Sequence, residues 1–184
     1  MLYIFSKDPI EIRSQKTDKT YTFVRADRVP LGEAAVAQIA KVCDEPEIYD
    51  NVFSSIFKGK RYTEDNARMF TKLVSDGWVN ENRFDWLILY EEVIVGTAGI
   101  KSLEGELGYW QSNQHPGVMT LAVQSLCSLA KDAGFISLWA YVKKSNTPSI
   151  KVLKGSGFKL DADLTAKRED AYGYRADFSR TPQI

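Results

Sequence analysis

The chain is poor in the side chains from which metal centres and disulfide frameworks are built. It has two cysteines and one histidine in 184 residues. Cys43 and Cys127 lack the C-x-x-C spacing of a metal or redox site, and His115 has no second ligand at helical spacing. We therefore expect no metal site and two reduced thiols in buried positions. A covalent relay through Cys127 is not favoured, because no base is adjacent to it in sequence.

The sequence also lacks a net charge and a long apolar run. Lys plus Arg and Asp plus Glu number 24 each, so there is no overall basic character of the kind that nucleic-acid binders show. No apolar run approaches the roughly 18 residues that a membrane span needs. Residues 1–9 hold an apolar patch too short, and an acid too early, for a signal peptide. These features predict no nucleic-acid partner, no membrane association and a cytoplasmic location.

What the sequence does contain is ordinary for one globular domain. Hydrophobic residues make up 44% and charged residues 26% of the chain. A chain of this length buries most of its apolar surface as a single unit, which we place at residues 1–184. Residues 1–19 precede the clearer pattern and predict an N-terminal extension or an extra strand.

Strand-like and helix-like segments alternate along the rest of the chain, which indicates an α/β or α+β fold. Strands are predicted at residues 21–25, 84–90, 93–100, from 106, and 137–142, and a final hairpin at 159–165 and 172–178. Helices are predicted at residues 31–42, in the aromatic stretch 46–57, from an N-cap at Thr63 to about residue 77, at 118–133, and after a cap at Thr147.

Residues 106–122 carry the pattern around which the chain is organised. A short strand is followed by a polar turn that Pro116 and Gly117 close, and then by a long helix with an apolar face. The first N–H groups of such a helix have no partner within it and lie at the positive end of its dipole. Backbone N–H groups of Gly117, Val118 and Met119 are therefore the candidate donors to a phosphate group.

The order of these segments resembles the core of the GNAT acetyltransferase superfamily over roughly residues 21–178. The match is best at residues 146–158, Asn-Thr-Pro-Ser-Ile-Lys-Val-Leu-Lys-Gly-Ser-Gly-Phe, close to the family's Asn-Thr-x-Ser-x-x-x-Leu-x-x-x-Gly-Phe. Within the superfamily the chain looks most like enzymes that acetylate the N-terminal alanine or serine of ribosomal proteins. The resemblance implies one domain with a mostly antiparallel mixed sheet, a strand–helix–strand crossover and helices on both faces.

The resemblance also implies acetyl-CoA as co-substrate and an amine as acceptor, with a peptide or protein N-terminus favoured over a small molecule. Glu106 matches a position at which some family members carry a catalytic base, and its alternative is a solvated carboxylate at a strand edge. Asn146 and Ser149 match residues that contact the coenzyme, and Ser149 is a candidate hydrogen-bond donor near the sulfur. Their alternatives are a turn former and a residue that stabilises the first turn of its helix. Some relatives have a tyrosine acid where this chain has Leu153.

Tyr49 and Phe53 belong to the aromatic stretch that walls the acceptor cleft in the resembled family. They are therefore candidate substrate-binding residues. An aromatic stripe at helical spacing is also what a buried helix face looks like, so a core role is the alternative.

One departure from the family pattern supports a different kind of function. Family members carry Gln/Arg-x-x-Gly-x-Gly/Ala between strand and helix, whereas residues 115–120 here read His-Pro-Gly-Val-Met-Thr, about two residues shorter and with one glycine. Pro116 supplies no N–H group. The second hypothesis is accordingly a GNAT-fold protein that has lost coenzyme A binding and serves as a binding or regulatory module. The sequence does not determine the oligomeric state.

Overall fold

Strand β3, Phe84–Tyr90, lies at the centre of a five-stranded antiparallel sheet in the computed structural model, which describes residues 3–178. The strand order is β1, β2, β3, β4, β5. The other strands are β1 (Ile10–Arg13), β2 (Thr20–Arg25), β4 (Val93–Ile100) and β5 (Leu107–Gln111). All of β3 except Tyr90 is buried, including Asp85, whose carboxylate pairs with Arg83.

A second sheet of three antiparallel strands completes the fold, in the order β6, β8, β7. Its strands are β6 (Ser137–Lys143), β7 (Lys159–Asp161) and β8 (Ala171–Asp177). Helix α5, Val118–Ala133, connects β5 to β6. The two sheets meet at a parallel bridge between Glu106 and Trp139, where Trp139 N donates to Gly105 O at 2.9 Å. Beyond this bridge β5 and β6 diverge and leave a V-shaped opening.

The remaining helices include α1 (Glu33–Cys43), α4 (Glu64–Val79), α6 (Thr147–Gly155) and the single turn α7 (Ala162–Thr165). A capping box begins α4: Thr63 Oγ1 accepts from the Asn66 amide, and Asn66 Oδ1 accepts from the Thr63 amide. The fold class, with its antiparallel sheet and crossover, is therefore the predicted one.

The aromatic stretch 46–57 is helical but broken. It consists of α2 (Pro46–Ile48), a π-helical turn (Tyr49–Phe53) and α3 (Ser54–Phe57). Ser54 Oγ donates to Asp50 O at 2.7 Å, a side-chain bond to the preceding turn of the kind that bends helices.

Three sequence predictions of local structure were wrong. The final hairpin is interrupted by α7, because Asp161 Oδ1 accepts from the Leu164 amide at 2.9 Å and caps a helical turn there. The residue that caps α6 is Asn146 rather than Thr147, since its Oδ1 reaches the amide of Ser149 at 3.1 Å. Helix α4 runs past residue 77 to Val79.

The N-terminal extension forms β1, which pairs with β2 at the edge of the large sheet. Phe5, which precedes it, enters a cluster of rings with Trp78, Phe84 and Trp86, at centroid distances of 5.8, 4.7 and 5.1 Å. Contacts between rings at such distances stabilise a core beyond the area that they bury. The extension is thus part of the hydrophobic core; the predicted boundaries of a single domain at 1–184 include residues outside the described range.

None of the helices among residues 3–178 is long and apolar enough to cross a membrane. No group of three or more His, Cys, Asp or Glu side chains in that range is arranged to hold a metal ion. The cytoplasmic location stays a prediction.

Candidate active site

A cavity of about 470 Å³ occupies the V between β5 and β6. Its walls come from both diverging strands, from α6, from the helical stretch 46–57 and from the loop before β8. Four of the predicted site residues line it, namely Glu106, Met119, Asn146 and Ser149. Residues that lie more than 40 positions apart in the sequence are therefore brought to one cleft by the crossover.

Glu106 lies where β5 and β6 make their last backbone contact. Its Oε1 is 2.6 Å from Lys101 Nζ, and the two side chains are 30% and 36% exposed. The carboxylate thus faces the cavity while an ammonium group holds one of its oxygens. A paired carboxylate of this kind retains lone pairs that can accept a proton from a water or an amine in the cavity.

Ser149 stands in the first turn of α6, opposite β5. Its Oγ lies 2.6 Å from the hydroxyl of Tyr109, and the Tyr109 hydroxyl is also 3.1 Å from Ser149 O. Burial raises the pKa of Tyr109 well above its ordinary value, although the contact with Ser149 opposes this. Tyr109 is therefore a neutral phenol throughout the usual pH range and donates a hydrogen bond.

Asn146 has a structural role that accounts for its place in the motif. Its side chain caps α6 by accepting from the Ser149 amide, and so fixes the backbone that carries the serine hydroxyl. Asn146 also lines the cavity, so that its Nδ2 group is left to contact a ligand. The two interpretations of this residue are compatible.

Tyr49 and Phe53 lie behind the cavity wall instead of on it. Phe53 is 9% exposed, with its ring 4.6 Å from that of Tyr62. The Tyr49 hydroxyl is buried without a partner among residues 3–178. The cavity-facing residues of this stretch are others: Glu47, Ile48, Asn51, Val52, Ser55 and Ile56. The core interpretation fits Phe53, and substrate contact by Tyr49 and Phe53 stays a prediction.

The loop between β5 and α5 is held by contacts from distant parts of the chain. The Glu45 carboxylate accepts from Ser112 Oγ at 2.6 Å and from the Asn113 amide at 2.9 Å. Tyr21 on β2 contacts His115 Nδ1 at 3.2 Å, and Ser14 Oγ donates to Pro116 O at 3.3 Å. The shortened loop is therefore supported on several sides.

His115 lies buried within this support rather than in the cavity. Burial lowers the pKa of its imidazole, Lys19 adds to the effect and Glu45 opposes it. The rings of Tyr21 and Tyr90 lie 5.6 and 5.3 Å from it. His115 is a neutral structural residue at neutral pH.

The N-terminus of α5 has the features of an anion site. The amides of Gly117, Val118 and Met119 donate to no acceptor among residues 3–178, and no side chain caps this helix. Lys16, from the turn between β1 and β2, lies over Gly117: a Cβ placed on that glycine would be 2.9 Å from Lys16 Cδ. Gly117 has φ of 89°, which a residue with a side chain rarely adopts. The sixteen-residue helix thus presents free donors at its N-terminus, with the aliphatic part of Lys16 next to Gly117.

Lys143 closes the far end of the V. Its Nζ donates to Asp50 O at 2.5 Å and to Ser54 Oγ at 3.2 Å, which links β6 to the π-helical turn. Arg168, on the loop before β8, stacks over the ring of Tyr141 at 4.3 Å. Both residues line the cavity, and neither is within salt-bridge distance of a carboxylate among residues 3–178.

Both cysteines are free thiols. Burial raises the pKa of Cys127 to about 12, and that of Cys43 further. A thiolate nucleophile is therefore unavailable at neutral pH. Cys43 is buried as predicted, whereas Cys127 is only partly buried.

Sequence reasoning missed three residues of this site. Glu45 precedes Pro46 and has no sequence signal for its contact with a loop 67 residues away. Lys16 is one lysine in a polar turn. Tyr109 gave the clearest signal, because a tyrosine in a strand beside the cleft requires a partner for its hydroxyl when it is buried.

Comparison with known proteins decides the family. The family profile described as Acetyltransferase (GNAT) domain matches residues 23–159, which is most of the chain. The chain belongs to the GNAT acetyltransferase family. A curated relative, the uncharacterized N-acetyltransferase p20 of Bacillus licheniformis, is 29% identical over 132 residues, covering 65% of this chain and 71% of p20. The protein is accordingly an acetyltransferase by family.

Solved structures share the GNAT fold with this chain at low sequence identity. RimL, described as a ribosomal L7/L12 alpha-N-protein acetyltransferase in complex with coenzyme A, superposes with a TM-score of 0.71 at 14% identity, covering 93% of this chain and 98% of RimL. Mycobacterium smegmatis RimJ, in complex with a coenzyme A disulfide, gives a TM-score of 0.68 at 16% identity, with coverage of 96% and 90%. At these identities the likeness establishes the fold.

Proposed function

We propose that this GNAT protein is an acetyl-CoA-dependent N-acetyltransferase whose acceptor is an amine, with a peptide or protein N-terminus as the favoured class. The observation that carries the proposal is the cavity between β5 and β6. It places a carboxylate, Glu106, and a hydroxyl pair, Tyr109 and Ser149, in one cleft whose lining includes Met119 in the first turn of α5.

The residues present fit coenzyme A. The amides of Gly117, Val118 and Met119 have no acceptor among residues 3–178 and suit a pyrophosphate, and the aliphatic part of the Lys16 side chain lies next to Gly117, within reach for its ammonium group to bind the same phosphates. Asn146 and Ser149 line the V, where a pantetheine arm would lie. The RimL and RimJ structures, which hold coenzyme A, support the same use of the cleft here.

When bound, acetyl-CoA supplies an acetyl group activated as a thioester. Glu106 accepts the proton that the attacking amine loses, directly or through a water molecule, while Lys101 holds the carboxylate in place. The nitrogen–carbon bond forms, the carbon–sulfur bond breaks, and the electron pair of the broken bond remains on sulfur. Ser149 donates a hydrogen bond to that sulfur, which is protonated from solvent on release.

A peptide N-terminus is the favoured acceptor for a chemical reason. Its α-amine has a pKa near 8, roughly two units below that of a lysine side chain, so more of it is neutral at physiological pH. A single partly exposed carboxylate is then a sufficient base. RimL, a ribosomal L7/L12 alpha-N-protein acetyltransferase, has the same fold, which supports this class of acceptor.

The competing hypothesis is a binding module without coenzyme A. Two sequence features favour this hypothesis: the loop with Pro116 and a single glycine, and Leu153 in place of a tyrosine acid. Against this hypothesis stand the support of the loop by Glu45 and Tyr21, and the hydroxyl of Ser149 in the cavity lining.

The experiment is an acetylation assay with three classes of acceptor. The purified protein is incubated with acetyl-CoA and with peptides that have a free N-terminal alanine or serine, peptides blocked at the N-terminus that contain lysine, or small amines. Mass spectrometry of the products should show acetyl transfer chiefly to the free α-amines, and Glu106→Gln should reduce it. Transfer confined to small amines would refute the acceptor class, and no transfer to any class would refute the proposal.

A further inference from the structure

The contact between Tyr109 and Ser149 joins the two sides of the V. Tyr109 comes from β5 and Ser149 from the first turn of α6, forty residues later. Their hydroxyl oxygens are 2.6 Å apart, and both residues line the cavity. The Asn146 cap fixes the backbone of Ser149, so that only the serine hydroxyl torsion is left to be set.

The direction of the hydrogen bond follows from the acceptors that are available. The Tyr109 phenol has one proton, and the two oxygens near it are Ser149 Oγ and, at 3.1 Å, Ser149 O. The Ser149 carbonyl lies within α6 and accepts from the amide four residues later, and its second lone pair can also accept from the phenol. Serine Oγ has no other donor among residues 3–178. We take Oγ, at the shorter distance, as the acceptor of the phenol proton.

A serine oxygen that accepts from tyrosine directs its own proton elsewhere. The remaining direction is into the cavity, towards the place at which the leaving sulfur of the thioester would lie. The phenol stays protonated because burial raises its pKa, so this orientation persists across the working pH range.

We propose that Tyr109 is a positioning residue that orients the Ser149 hydroxyl towards the leaving sulfur. This rests on the proposed function. Tyr109 contributes through Ser149 alone: no proton leaves the phenol, and its effect disappears when the serine hydroxyl is removed.

A double-mutant cycle tests this. The turnover of wild type, Tyr109→Phe, Ser149→Ala and the double variant is measured at saturating acetyl-CoA and acceptor, and coenzyme A affinity is measured by calorimetry. Tyr109→Phe should lower kcat about tenfold, the size expected for one hydrogen bond, with KM and the coenzyme A Kd within about twofold. In the Ser149→Ala background the same substitution should leave kcat unchanged.

Two controls separate positioning from folding. Tyr174→Phe removes a hydroxyl from another buried tyrosine, on β8 and outside the cavity lining, and should leave kcat unchanged. Ser149→Thr keeps a hydroxyl and should keep the sensitivity to Tyr109→Phe. The Tyr109→Phe variant could be unfolded at the assay temperature. In that case the rates of coenzyme A thiol release by the Ser149→Thr and Ser149→Ala variants are compared. Equal rates of release overturn the proposal.

The outcomes are distinct. If Tyr109→Phe lowers kcat by the same factor in both serine backgrounds, or does not lower it in wild type, the positioning role is overturned while the enzyme remains. If the wild-type protein neither binds coenzyme A nor transfers acetyl groups, the proposed function fails and the inference with it.

Discussion

Replacing Glu45 by alanine should destabilise the protein and weaken coenzyme A binding together. The side chain is partly buried, and its carboxylate accepts from Ser112 Oγ at 2.6 Å and from the Asn113 amide at 2.9 Å. It is thus the carboxylate that holds the start of the loop between β5 and α5. Truncation leaves both donors without their acceptor and frees the loop that positions the amides of α5.

The magnitude follows from those two bonds. A hydrogen bond to a charged group contributes about 1.5 to 3 kcal/mol, and partial exposure places each at the lower end. Their loss should cost about 2 to 3 kcal/mol of unfolding free energy. In a domain of this size that corresponds to a fall in Tm of about 4 to 12 °C.

The assay is thermal unfolding with and without coenzyme A, followed by calorimetric titration of the ligand. Glu45→Gln keeps a neutral acceptor and should show a smaller loss than Glu45→Ala. Glu11→Ala, at an exposed acid of β1 with no ion pair among residues 3–178, is the matched control and should change neither quantity. An unchanged Tm and an unchanged coenzyme A affinity in Glu45→Ala would refute the reasoning that this carboxylate supports the loop.

Three further predictions concern the site and its support. Glu106→Gln should lower kcat/KM by about 100-fold or more, the usual contribution of a general base, in a turnover assay; unaltered turnover from pH 6 to 9 at saturating substrate would exclude this role. Lys16→Gln should weaken coenzyme A binding a few-fold and reduce its salt dependence, whereas Lys7→Gln at the opposite end of β1 should not; equal affinities by calorimetry would contradict the placing of Lys16. Burial lowers the pKa of His115 in the folded state, so the unfolded chain binds a proton at this residue more readily than the folded chain does. The contribution of His115 to the unfolding free energy should therefore be complete above about pH 6.5 and decrease as the pH falls below it. His115→Gln should remove part of that decrease in thermal unfolding curves. An identical pH dependence in the variant would show that other groups cause it.

The sequence was most informative where the cause of structure is local. The capping box at Thr63 lies within four residues, and α5 begins and ends at Gly117 and Gly134 because these glycines adopt positive φ. The apolar run of β3 and the acidic turn after it specify a hairpin without help from the rest of the chain. These elements were predicted from one short window each, although the equally local caps at Asp161 and Asn146 were missed.

Prediction failed where a distant partner determines the outcome. The stretch 46–57 has helical spacing throughout, but the spacing alone did not show which of its faces meets the cavity, and Tyr49 and Phe53 are not in the lining. The loop after β5 has fewer glycines than the family's loop pattern, yet Glu45 and the turn between β1 and β2 support it. These contacts join residues far apart in sequence, and neither spacing nor residue type encodes them.

The candidate site was predicted in part for the same reason. Glu106, Asn146 and Ser149 belong to motifs, and the structure brings all three to one cavity. Tyr109 lies in the strand predicted from residue 106, but its pairing with Ser149 depends on how far β5 and β6 diverge. That angle is a property of the two sheets and not of either strand.

The most direct test of the account is a calorimetric titration of the wild-type protein with acetyl-CoA, since every proposed step requires this ligand in the V. The account predicts saturable binding at one site per chain with micromolar affinity, and a rise in Tm of the complex. Absence of binding at millimolar acetyl-CoA, in protein that unfolds cooperatively, would contradict it and would favour the coenzyme-free binding module.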